Sequence, residues 1–216
     1  MQPDDGRALS EAAIEALLAE VLRECALEPL LLLDAARSGS TLVRIARNGA
    51  AGPDPFDEIL IDAYESTRAP MIGWATAEVT DPEDIVRTAF MRVYARRPDI
   101  TEAEDMREYL WRTTENLIRD TPRHKTADRL DPAGDERIAL LAERTGLSFE
   151  DTITLRHMLI AALETLPQRE REAVVLRGYE GSTYAEIGLI MGLAPDTVES
   201  HIHDALAEVS ARLQAA

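Results

Sequence analysis

Residues 183–198 read Thr183-Tyr-Ala-Glu186-Ile187-Gly-Leu-Ile-Met191-Gly192-Leu-Ala-Pro195-Asp-Thr197-Val198, two helical patterns on either side of one glycine. Thr183 can cap a helix over Tyr184 to Met191 by accepting a bond from a first-turn amide. Ile187 and Met191, one turn apart, share its inner face. Gly192 allows a left-handed turn, and Pro195 suits the first position of the next helix. There Val198, Ile202, Ala205, Leu206, Val209 and Leu213 form one apolar stripe. Upstream, Pro167 biases Leu166 away from helical geometry and ends one helix. Gln168 to Arg177 makes another, closed near Gly178. A short helix, a glycine turn and a longer helix describe a helix-turn-helix. Spacing alone also admits an ordinary three-helix bundle.

The rest of the chain fits a mainly α protein. It has 216 residues, 45% hydrophobic, enough for packed cores. Formal charge is −17, from 23 basic and 40 acidic residues, which argues against non-specific coating of nucleic acid. Lys125 is the single lysine. The one cysteine, Cys25, excludes a disulfide framework and a cysteine-rich zinc site. It sits on the apolar stripe Ile14, Leu17, Leu18, Val21, Leu22 and is expected to be buried. The four histidines lack metal-ligand spacing, so no metal and no cofactor is expected. No Gly-rich phosphate loop, nucleophile elbow or carboxylate constellation points to an enzyme. No apolar stretch approaches the ~20 residues of a membrane span, and a cytoplasmic protein is expected.

Breaker clusters divide the chain. Residues 1–55 end in Asn48-Gly49-Ala-Ala-Gly52-Pro53-Asp54-Pro55, a linker signal. Residues 56–126 hold three helical patterns, 127–149 read as a flexible linker, and 150–213 are helical again. Two small helical domains joined by a linker are therefore expected, with an N-terminal extension of unknown role. Within the extension, Pro29 to Leu33 and Thr41 to Ile45 fit either two short helices or a β-hairpin, and the hairpin is slightly preferred.

Several motifs carry a resemblance. Leu163-x-x-Leu166-Pro167-x-Arg169-Glu-Arg171, Tyr184-Ala-Glu186-Ile187 and Gly192-Leu-Ala-Pro-Asp-Thr197-Val198-x-Ser200 resemble region 4 of bacterial extracytoplasmic-function (ECF) sigma factors. In that family this helix-turn-helix reads the −35 promoter element. Arg68-Ala-Pro70, then Asp81-Pro-Glu83-Asp84-Ile-Val-Arg87-x-x-Phe90-x-Arg92-Val-Tyr94, is similar to region 2, whose helix docks on core RNA polymerase. Tyr109-Leu-Trp111-Arg112-x-x-x-Asn116 through Arg123 is similar to the segment that melts and binds the −10 element. Opening DNA calls for aromatic or arginine planes to stack on unpaired bases, and for cations on the phosphates.

The resemblance implies a sigma factor whose partners are core RNA polymerase and promoter DNA, with an anti-sigma factor as a further candidate. Asp84, Arg87, Phe90 and Arg92 would meet the polymerase. Arg96, Arg97, Tyr109, Trp111, Arg112, Asn116, Arg119, Arg123 and Lys125 would serve the −10 element. Arg169, Arg171, Arg177, Thr197, Ser200 and His201 would serve the −35 element. The last helix departs from the family pattern, because Glu199, His201 and Asp204 stand where cations are usual. That opens a second reading, a sigma-like mimic or adaptor whose partner is a protein, such as a decoy for an anti-sigma factor. Residues 1–55 match nothing in the family pattern. The terminal Ala215-Ala216 is either a degradation signal or a frayed end.

Overall fold

The computed structural model describes residues 10–49, 52–120 and 147–215. Arg123, Lys125, Ala216 and most of the 127–149 linker lie outside them. The described residues form ten helices and no strand.

α1 (Glu11–Leu27) starts where the Ser10 hydroxyl accepts from the Ala13 amide at 3.2 Å. Its predicted stripe is buried, Cys25 included, and burial drives the Cys25 thiol far above its ordinary pKa. The β-hairpin preferred from sequence is not formed. Leu30–Arg37 is α2 and Thr41–Ala46 is α3. Ser40 caps α3, its hydroxyl accepting from the Leu42 amide at 3.3 Å. Packing explains the correction. Leu31, Leu32 and Leu33 are all buried, and α2 meets α1 and the helices over Pro55–Ala75 and Phe149–Thr165. Consecutive side chains point in different directions around a helix, whereas a strand would send every second one to the opposite face.

α4 (Pro55–Ala75), α5 (Pro82–Arg96) and α6 (Ala103–Asp120) pack on one another. Asp54 and Asp81 cap α4 and α5, each followed by a proline in the first turn. α5 ends on Arg97, which holds a left-handed φ of 43°. Leu60, Tyr64, Met71, Val86, Phe90, Met106 and Leu110 fill the centre, with the Tyr64 and Phe90 rings 4.6 Å apart.

α7 (Phe149–Thr165), α8 (Gln168–Gly178), α9 (Tyr184–Met191) and α10 (Pro195–Gln214) follow the sequence reading closely. Leu166 is extended at ψ 145°, the conformation a residue before proline favours. Thr183 and Glu186 form a reciprocal capping box, and Gly192 takes φ 69°.

The buried side chains of α4–α6 and α7–α10 belong to one contiguous core. α5 packs on α8, α1 packs on α5, α8 and α10, and α2 and α3 pack on α7.

Candidate nucleic-acid and polymerase interface

α5 presents the residues expected to meet polymerase. Asp84 lies near its start, where the backbone amide donates to the Asp81 carboxylate at 2.9 Å. Arg87 pairs with Glu83 at 3.4 Å and Asp84 at 3.8 Å. Burial opposes the Arg87 charge, but Tyr179 and the carboxylates of Asp84, Asp81 and Glu83 outweigh it and raise its pKa. Arg92 donates to both oxygens of Glu180, each at 2.7 Å. Phe90 departs from expectation: it is 0% exposed and packs at a tilt against Tyr64, so it shapes α5 from inside rather than touching a partner.

The −10 candidates divide into two groups. Arg96, Tyr109, Arg112 and Asn116 line one cavity of about 250 Å³, with Glu172, Leu176 and Ile190 on the facing wall. Arg96 donates to Glu172 at 3.0 and 3.2 Å. Although burial opposes its charge, the Tyr109 hydroxyl and Glu172 hold its pKa up. Arg112 pairs with Glu108 and Arg119 with Glu115, all four well exposed; exposed i,i+4 pairs contribute only ~0.3–0.5 kcal/mol. Outside the cavity lining, Trp111 sits edge-on to Trp74 at 5.6 Å. Arg97 turns inward, 4.8 Å above the Phe56 ring and 2.7 and 3.1 Å from Asp54 and Asp57.

In the helix-turn-helix, Thr197 and Ser200 are exposed near the start of α10 and His201 is half-buried. Glu199 and Asp204 are exposed as well. Across the gap, partial burial and the carboxylates of Glu208 and Asp204 raise the Glu170 pKa, with His201 opposing. Arg169 is exposed and 3.6 Å from Glu172. Arg177 donates to Glu15 at 3.0 Å and to the Ser182 carbonyl at 3.1 Å. Arg171 is the second departure. It is buried, donating to the carbonyls of Ala95, Glu164 and Leu166 at 3.1–3.3 Å. Two positions along α8 separate an exposed arginine from an enclosed one.

Glu15, Glu172 and Glu180, the carboxylates that hold these arginines, were missed from sequence. Arg177, Arg96 and Arg92 lie 76 or more residues from Glu15, Glu172 and Glu180 respectively, and local spacing carries no signal for such pairs.

A family model described as Sigma-70, region 4 matches residues 156–209. The ECF RNA polymerase sigma factor SigE of Mycolicibacterium smegmatis is 34% identical over 125 residues, 57% of this chain and 48% of that protein. EcfG of Rhodopseudomonas palustris, also named an ECF RNA polymerase sigma factor, is 26% identical over 163 residues, covering 74% and 86%. SigW of Bacillus subtilis, of the same description, is 26% identical over 168 residues, covering 74% and 89%. The chain is thus similar to ECF sigma factors, and most directly so in its Sigma-70 region 4 match. It spans about half the length of the SigE relative. No solved structure gives a significant match. The region 4 match falls within α7–α10, which take that label, and α4–α6, whose motifs resemble region 2 of such factors, are labelled region 2 for that resemblance. Against that pattern, the acidic α10 and the extension α1–α3 stand apart.

Proposed function

We propose that this chain is the promoter-specifying subunit of a bacterial RNA polymerase, binding the core enzyme and directing initiation. The observation that carries the reading is the helix-turn-helix of α8–α10, which coincides with the region 4 match. α5 would meet the core enzyme through Asp84, Arg87 and Arg92. Arg96, Tyr109, Trp111, Arg112, Asn116 and Arg119 would engage the opened −10 strand. Thr197, Ser200 and His201 would approach −35 base edges, with Arg169 and Arg177 on the phosphates. The exposed arginines are held by weak surface pairs, which a phosphate can replace. Glu199 can accept from cytosine N4, so one acid on the reading face is compatible with base recognition.

Run-off transcription with core polymerase tests the reading. Wild type should give promoter-dependent transcripts. Glu199→Lys with Asp204→Arg should change promoter choice while core binding is retained. No transcript from any promoter fragment, together with binding of an anti-sigma protein, would overturn it in favour of a sigma-like mimic.

A further inference from the structure

α1 lies across region 4 and touches region 2. Ile14, Leu18, Val21 and Leu22 are each 1% exposed or less. Its approach to α8 is close at Gly178, where a Cβ would sit 3.1 Å from Leu22 Cδ1 and 3.4 Å from Ala19 Cα. Around this apolar contact one outer carboxylate meets an arginine assigned to DNA and another meets the reading helix. Glu15 accepts from Arg177 at 3.0 Å, and Glu11 lies 2.9 Å from His203 Nδ1 on the reading helix. The far end of the extension is tied down too. Arg47 is 3.5 Å from Glu164, and Arg212 donates to the Ala46 carbonyl at 2.8 Å and the Asn48 side chain at 3.1 Å. On the other side α1 packs on α5 and α2 on α4. The extension therefore bridges regions 2 and 4 while they already face each other across α5 and α8.

This arrangement cannot span a promoter. A compact chain of 216 residues has a radius of gyration of ~17 Å. Elements about 25 base pairs apart are separated by ~85 Å of duplex at ~3.4 Å per step. Arg92 and Arg96 are moreover bound to Glu180 and Glu172 of region 4, so α8 and any other partner compete for the same side of α5.

We propose that residues 10–49 are an intramolecular clamp. α1 holds region 4 against α5 and sets Glu15 on a phosphate-binding arginine, and release of α1 gates promoter binding. What the clamp masks rests on the promoter-specifying reading above.

The test uses the full chain and two variants confined to α1. Leu18→Gln with Leu22→Gln removes the apolar contact without changing charge. Glu11→Gln with Glu15→Gln removes the outer pairs and is compared with Glu28→Gln plus Asp34→Asn, which alters charge equally at exposed positions of the extension. Small-angle scattering reads the opening, and a fluorescent −35 duplex at fixed salt reads access. The leucine variant should expand by several Å and bind the duplex about tenfold more tightly, as expected where roughly a tenth of the wild type is open. A helical leucine variant that stays compact, or that expands without gaining affinity, overturns the clamp. If that variant loses its helix, the glutamate pair decides: it should bind at least about threefold more tightly than its control, and equality overturns the proposal. Run-off transcription separates the two readings. Expansion and tighter binding with no transcript from any variant leave the clamp standing and remove the sigma reading. Transcripts from a wild type whose variants match it in size and affinity do the reverse.

Discussion

Asp57 and Glu164 lie where the extension, region 2 and region 4 meet. Arg47, Arg97, Arg171, Asp54 and the Tyr94 hydroxyl surround them. Asp57 is fully enclosed, and neither of its oxygens has an aligned hydrogen bond. Desolvation outweighs the pull of Arg97 and raises its pKa to about 6. Glu164, 3.5 Å from Arg47, is pushed up to about 8, by burial first and then by Asp57. Both groups bind a proton more tightly folded than unfolded. Their contribution is complete below their unfolded values near 4, and it is lost as pH rises through about 6 and about 8. Glu164→Gln should therefore match wild type near pH 4 and exceed it near pH 9 by several kcal/mol, a tenfold change in proton affinity being worth ~1.4 kcal/mol. Urea midpoints at the two pH values measure this. A variant less stable than wild type at the higher pH would mean that the Arg47 pair dominates.

The geometry of the helix-turn-helix rests on close contact between α9 and the chain that leaves it. A Cβ on Gly188 would lie 2.6 Å from the Leu193 carbonyl oxygen. Because that atom belongs to the backbone, the turn itself would have to move. Gly188→Ala should cost about 1–3 kcal/mol despite alanine's better helix propensity, and should weaken binding of a −35 duplex by re-aiming α10. Gly73 in α4 is the control, since a Cβ there meets nothing within 4 Å. Gly73→Ala should stabilise by about 0.5–1 kcal/mol. Urea denaturation of the two variants checks the signs, and equal effects would show that the tight turn relaxes freely. The same pair shows how far sequence reading reaches. Gly192, followed by Pro195, announces a left-handed turn in its local pattern, whereas the need for glycine at 188 depends on a carbonyl that only the folded turn brings near.

At the scale of the molecule, buried side chains run without a break from α4–α6 through α5 and α8 into α7–α10 and α1. A shared core couples the stability of its parts. Both tryptophans, Trp74 and Trp111, lie in region 2, so their fluorescence reports that region while far-UV circular dichroism reports every helix. The two signals should follow one urea transition. Separate midpoints would mean that the regions unfold independently and that the contact between α5 and α8 adds little stability.

Local sequence pattern suffices for the helices α4–α10, their breaks and the turn between α9 and α10. Caps such as Ser10, Asp81 and Thr183, prolines at helix starts, the extended residue before Pro167 and the apolar stripes act within a turn or two of the chain. The same pattern carries the resemblance to ECF sigma factors, because the region 4 match falls on a run of such local features. Tertiary structure alone decided that α2 and α3 are helices, since the burial of Leu31 to Leu33 on several sides depends on α1, α4 and α7. It alone decided which arginines face solvent: Arg169 and Arg171 look equivalent in sequence, yet one pairs loosely at the surface and the other holds three carbonyls. It alone placed Phe90 inside and the extension across both regions. The physical reason is common to all of these: burial and ion pairing depend on groups distant in the chain, and local pattern carries no record of which of them will meet.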